Sequence, residues 1–202
     1  MDRITAFING QEISVAPGTS IIEAARENGF AIPSMCYLKE LNDIAACRMC
    51  VVEVEGMDRL VASCNNPVEE GMRIHTNTPR VLEARKANLE LLLSKHDTSC
   101  TSCLRSGNCV LQSLSESLNT KEIPFDIEPK YEQWEDDFPL VRNSAKCIKC
   151  GRCVAICDKV QNIGAWKFSS TGLIEVNGLG KLSETDCSLC GQCITHCPVG
   201  AL

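Results

Sequence analysis

The chain has 202 residues and a formal net charge of −6 at pH 7 with no Lys/Arg-rich run, so it lacks the electrostatic footprint of a nucleic-acid binder. Apolar and cysteine residues together reach 44% but aromatics only 4%, a thin supply of bulky core, and no apolar run approaches the roughly 18 residues of a membrane span. The 15 cysteines are an odd number in tight clumps, which fits metal ligation better than a disulfide framework.

The opening residues carry no apolar signal core, and a reducing, cytoplasmic setting is expected, in which clumped cysteines serve as metal ligands. "RITAFINGQEISVAPGTS" reads as two alternating strands around Asn9-Gly10, the dipeptide of a type I′ hairpin turn. Thr19 or Ser20 can cap the helix that follows, whose Ile21, Ile22, Ala24 and Ala25 form an apolar face before Gly29 ends it. A cysteine loop comes next, then "VVEVEG", "RLVASC" and "MRIHT" as further strands. Residues 1–77 are therefore expected to form a small mixed sheet packed on one helix.

That first unit holds Cys36, Cys47, Cys50 and Cys64, with a longer first gap than the plant-type Cys-x4-Cys-x2-Cys run. Four cysteines on a loop and a strand end suit a [2Fe–2S] cluster, which takes two ligands per iron. Arg48 inside the loop could favour an anionic cluster, and a solvated arginine is the alternative.

Residues 78–120 read as a helical segment. Thr78 is a cap, Pro79 the first helical residue, and Leu82, Leu89, Leu92 and Leu93 the expected buried side; "VLQSLSESL" gives a second short helix. Between them lies His96, Cys100, Cys103 and Cys109, a His-x3-Cys-x2-Cys-x5-Cys run that supplies four ligands for a [4Fe–4S] cluster. The other two histidines read as structural, His75 in a strand and His196 beside a complete cysteine motif. Residues 121–139, with three prolines and an acidic excess, form a connection that Trp134 and Phe138 are expected to pin down.

Residues 140–202 contain an internal duplication. Cys147, Cys150, Cys153 and Cys157 repeat as Cys187, Cys190, Cys193 and Cys197, each a Cys-x2-Cys-x2-Cys-x3-Cys run. This spacing resembles that of bacterial two-cluster ferredoxins, in which the fourth cysteine of each run ligates the other cluster. The resemblance implies one [4Fe–4S] cluster on Cys147, Cys150, Cys153 and Cys197, and another on Cys157, Cys187, Cys190 and Cys193. One departure stands out: Pro198 follows Cys197, but Asp158 follows Cys157. Fifteen cysteines and one histidine then make sixteen ligands for one [2Fe–2S] and three [4Fe–4S] clusters.

The order of these motifs resembles the N-terminal electron-input region of iron-only hydrogenases, including electron-bifurcating ones. It is also similar to the complex I large iron–sulfur subunit, NAD-linked formate dehydrogenases and the diaphorase small subunit of NAD-reducing hydrogenases. The fold implied is modular α+β: a [2Fe–2S] β-grasp ferredoxin-like domain, a small helical His/Cys cluster domain and a two-[4Fe–4S] ferredoxin-like domain. The implied function is electron relay between a flavin-containing NAD(P)H-oxidising subunit and a catalytic hydrogenase or formate dehydrogenase subunit or domain, with soluble ferredoxin as a further partner. The sequence shows no catalytic constellation of its own, and the expectation is a free-standing subunit or the front end of a larger enzyme. A zinc-stabilised structural or interaction module is the alternative.

Overall fold

The computed structural model describes residues 3–120, 123–125, 127–129, 131–134, 139–178 and 180–202. Five strands near the front, β1 (Ile4–Ile8), β2 (Gln11–Val15), β3 (Val51–Val54), β4 (Val61–Ala62) and β5 (Arg73–His75), form one sheet in the order β2-β1-β5-β3-β4. β1 runs parallel to β5, and every other pairing is antiparallel. Asn9 (φ 51°) and Gly10 (φ 86°) are both left-handed, as the type I′ turn requires, and the turn sets Ile8 opposite Gln11. With period-two alternation this register puts Ala6, Ile8, Ile13 and Val15 on one face. They share an apolar cluster with Ile21, Ile22, Ala24 and Ala25 of α1 (Ile21–Glu27). Ser20, rather than Thr19, caps α1, its hydroxyl accepting from the Glu23 N–H at 3.4 Å.

Behind the sheet, α2 (Pro79–Leu93) starts at Thr78, whose hydroxyl accepts from the Val81 N–H and donates to Glu53 Oε2 at 2.6 Å. Its buried side is Val81, Arg85 and Leu89, an i, i+4 stripe that keeps Leu89 of the expected set and corrects Leu82. Leu82 lies one residue round the helix, about 100° away, and is 41% exposed; Leu92 and Leu93 are half-buried. α3 (Val110–Ser117) buries only Leu111. The segment has no core to itself. Leu89 and Leu111 belong to a cluster that also takes Met35 and Met49 from the first unit and Ile148, Val199 and Ala201 from the last.

The last unit consists of two one-turn helices, α4 (Arg152–Ala155) and α5 (Gln192–Thr195), and an antiparallel ribbon of β6 (Trp166–Phe168) and β7 (Ile174–Val176). The duplication is visible in the backbone. Lys149 and Gly151 are left-handed (φ 56° and 73°), and so are their counterparts Leu189 and Gly191 (58° and 68°). Asp158 explains where the halves differ. A π-helical turn, Ile156–Val160, continues α4 straight through it, and its carbonyl accepts from the Asn162 N–H at 3.1 Å. In the other half α5 ends at Thr195 and Pro198 stands at the position equivalent to Asp158, where a proline has no N–H to continue a helix.

Trp134 pins the connection as expected: its indole donates to Leu140 O at 2.8 Å and its ring stacks on Trp166 with centroids 6.2 Å apart. Phe138 lies outside the described residues. Among the described residues, no helix is long and apolar enough to cross a membrane.

Candidate metal centres

All fifteen cysteines are free thiols. The first set is fully buried and arranged as two pairs. The Cys36 thiol donates to Cys47 Sγ at 3.3 Å, and Cys50 is hydrogen-bonded to Cys64. Cys47, holding the accepted hydrogen bond, is pulled down to about 6 and Cys50 to about 7, while Cys36 and Cys64 are pushed well above the ordinary thiol range. Met35 N–H also donates to Cys47 Sγ at 3.4 Å. Two pairs, each with one sulfur already inclined to ionise, match the two-per-iron demand of a [2Fe–2S] cluster.

The arginine beside this set is not the one the loop suggested. Arg48 is exposed, with a left-handed backbone (φ 54°). Arg85 reaches in from α2 instead, 2% exposed, with Nη2 donating to Val51 O at 2.8 Å and Nε buried with no partner among the described residues. Burial pushes its pKa down to about 10, and the charge of neighbouring Cys50 works against that shift. Arg85 was missed because nothing in a helix pattern distinguishes a buried arginine from an exposed one. The only signal was its position four residues before Leu89 and four after Val81.

The two sets implied by cross-ligation each wall one cavity. Cys147, Cys150, Cys153 and Cys197 line one space, together with Ile148, Trp166 and Val199. Cys157, Cys187, Cys190 and Cys193 line a second, which Trp166 also borders. Each cavity draws cysteines from both halves of the duplication. Burial pushes the Cys147, Cys153 and Cys193 thiols up and Cys150 to about 12. Such thiols ionise readily only against a metal charge. Backbone donors are already aimed at two sulfurs, Lys149 N–H at Cys147 Sγ (3.4 Å) and Ala165 N–H at Cys157 Sγ (3.2 Å).

His96 sits just past α2, its N–H bonded to Leu93 O. It is 8% exposed and its Nδ1 is buried with no hydrogen-bond partner among the described residues, which leaves a ring nitrogen able to take a ligand. Burial, helped by the nearby Lys146 ammonium, lowers its pKa, so the imidazole is neutral and able to donate a lone pair. Cys100 opens a 3-10 turn and is exposed, Cys103 follows it, and Cys109 is the N-cap residue of α3. A Cβ on Gly200 would collide with Cys103 Sγ, so this loop lies directly against the tail of the last unit. The ion pair of buried Lys146 Nζ with Asp97 Oδ2 (3.2 Å) fastens it there, between His96 and Cys147. His75, in β5 as expected, is 2.8 Å from Glu55 Oε1, and His196 Nδ1 is 2.9 Å from Gln192 O.

Among the described residues, no three His, Cys, Asp or Glu side chains gather round one point as a single ion requires.

Residues 1–79 match the 2Fe-2S iron-sulfur cluster binding domain family, residues 85–124 the iron-sulfur binding region of NADH-ubiquinone oxidoreductase-G, and residues 146–201 the 4Fe-4S dicluster domain. Each segment of the chain belongs to an iron–sulfur domain family. The chain is 40% identical over 211 residues to the NADP-reducing hydrogenase subunit HndD of Solidesulfovibrio fructosivorans, covering 100% of this chain and 36% of that protein. It is 36% identical over 205 residues to the mitochondrial NADH-ubiquinone oxidoreductase 78 kDa subunit of Candida albicans, covering 99% of this chain and 28% of that one. The chain thus spans about a third of the length of these relatives. A solved NAD+-reducing [NiFe]-hydrogenase chain superimposes with a TM-score of 0.86 at 29% identity, over 98% of this chain and 86% of its own length. The chain is an iron–sulfur module of the type that NAD(P)-linked hydrogenases and complex I-type oxidoreductases share, and it is modular α+β as expected.

Proposed function

We propose that this module relays electrons in the cytoplasm between a flavin-containing NAD(P)H-oxidising subunit and a catalytic hydrogenase or formate dehydrogenase subunit or domain, soluble ferredoxin being a further partner. It works through one [2Fe–2S] cluster on Cys36, Cys47, Cys50 and Cys64 and three [4Fe–4S] clusters. These sit on His96 with Cys100, Cys103 and Cys109; on Cys147, Cys150, Cys153 and Cys197; and on Cys157, Cys187, Cys190 and Cys193. The modules run over 1–77, 78–120 and 140–202, with 121–139 as the connection. When bound, the clusters supply one-electron storage at potentials set by their ligands and surroundings.

The observation that carries this reading is the pair of cavities, each walled by the four cysteines that one cross-ligated set requires. The chain's own residues then do three things. Cysteine pairs and backbone N–H groups hold the sulfurs in place. Neutral His96 removes one negative charge from the middle site, which should ease its reduction. Arg85 sets a buried positive charge beside the first site.

The test is metal and sulfide analysis of anaerobically purified protein, where about 14 iron atoms and as many acid-labile sulfides are expected from one two-iron and three four-iron clusters. NAD(P)H should bleach the chain only in the presence of the flavin subunit, and dithionite should do so alone. Stoichiometric zinc with little iron would establish the structural-module alternative instead.

A further inference from the structure

Asn42 lies in the loop between Cys36 and Cys47 and is 4% exposed. Its Nδ2 donates to Cys36 O at 2.7 Å and to Cys150 O at 2.9 Å, the second carbonyl 108 residues away along the chain. The two carbonyls belong to cysteines of different proposed clusters. The backbone of Asn42 has a separate task, exchanging two 2.9 Å hydrogen bonds with Leu38 to close the turn. The carboxamide is therefore held in place by the turn and spends both N–H groups on the bridge. The surrounding loop is clasped from the other side. Arg152 Nη2 donates to Tyr37 O at 3.0 Å and Lys159 Nζ to Leu41 O at 2.7 Å. Gly151 allows the approach, since a Cβ there would stand 3.1 Å from Ile44 Cδ1.

We propose that Asn42 is a positioning residue that fixes the [2Fe–2S] site against the Cys147/Cys150/Cys153/Cys197 site and supplies the hydrogen-bonded link between them. The front domain is thereby coupled directly to the first cubane site rather than acting as a separate port. An electron passing between the two sites oxidises one by one electron and reduces the other by one, and no bond or proton moves at Asn42. The side chain suits this task because a carboxamide offers two donors from one nitrogen, and burial makes both bonds costly to lose. This inference rests on the cluster assignment proposed above.

The experiment uses the full iron-loaded chain, pulsed with sub-stoichiometric dithionite and followed by freeze-quench EPR of the [2Fe–2S] and [4Fe–4S] signals. Asn42→Leu leaves two carbonyls unpaired, and electron exchange between the signals should slow by about tenfold, the factor that about 1.4 kcal/mol of lost docking free energy represents. Spin counts and midpoint potentials should hold, while the dipolar broadening between the two reduced clusters should weaken. Wild-type exchange and wild-type broadening in the variant would overturn the proposal. If Asn42→Leu does not load iron, Asn42→Ser carries the test, since its shorter side chain cannot span both carbonyls; the same slowing supports the link and unchanged exchange removes it. Absence of either signal from the wild-type chain would instead overturn the cluster assignment.

Discussion

Residues 1–77 and residues 78–120 each hold four candidate ligands, by opposite means. The front unit has an apolar cluster of its own, sheet against helix, which takes in Cys50 and Cys64, while Cys36 and Cys47 are buried in the cluster it shares with the later units. The helical unit buries Leu89 and Leu111 in a cluster whose other buried members come from its neighbours, and its three cysteines are half-buried or exposed. Core burial can hold the first set before any iron arrives. The second set depends on docking against the last unit through Lys146, Asp97 and the Gly200 contact, and on the cluster itself.

Iron removal should break the comparison most widely. After chelation, amide exchange should show β1, β3 and β5 still protected while residues 78–120 and 140–202 lose protection, because the sheet buries the larger apolar cluster and the cluster of the last unit takes in candidate ligands Cys153 and Cys157. Uniform loss or uniform retention would show the two regions to be one cooperative unit.

Substitutions in α2 sharpen it. Leu89→Ala removes a fully buried side chain from the shared cluster and should cost about 2–5 kcal/mol in denaturant unfolding, whereas exposed Leu82→Ala should stay within about 0.5 kcal/mol. Equal effects would restore the buried stripe expected from the leucine pattern.

Potentials compare the two sites electronically. His96→Cys should keep a four-iron EPR signal but at a lower potential, since a fourth thiolate adds negative charge, and His75→Ala should leave it alone. An unchanged signal in His96→Cys would take His96 out of the ligand set. Arg85→Met should lower the [2Fe–2S] potential by removing a buried cation, and Arg48→Met, at an exposed position, should have a smaller effect. The reverse order would make the loop arginine the electrostatic partner after all.

The smallest effect is one of pH. Hydrogen bonds from Ser99, and then the Lys146 ion pair, hold the Asp97 carboxyl well below the usual carboxylate range. A depressed native value means the stabilisation is complete above the unfolded value of about 3.9 and is lost as pH falls below it. Asp97→Asn should therefore be less stable than wild type near neutrality, and the gap should close as the pH is lowered through the acid limb. A gap constant with pH would mean that the ion pair contributes nothing by its charge.

Much of the site could be read directly. Cysteine spacing is a covalent property of the chain, so the three candidate ligand groups could be counted, while the cross-ligated sets are what the resemblance to two-cluster ferredoxins implies; the Asn9-Gly10 turn and the Thr78-Pro79 helix start followed from local backbone chemistry. His96 could be singled out because it is the histidine within a loop's reach of three cysteines lacking a fourth partner.

What tertiary structure decided lies wherever side chains meet across distant segments. Periodicity along α2 marks leucines, but which stripe is buried depends on where β3 lies, and that put Val81, Arg85 and Leu89 inside and Leu82 outside. Arg85 bonded to Val51, Lys146 paired with Asp97, and Asn42 reaching Cys150 join residues 34 to 108 positions apart. Such contacts leave no trace in local pattern, because a buried polar side chain is made tolerable by partners that only the folded chain brings to it.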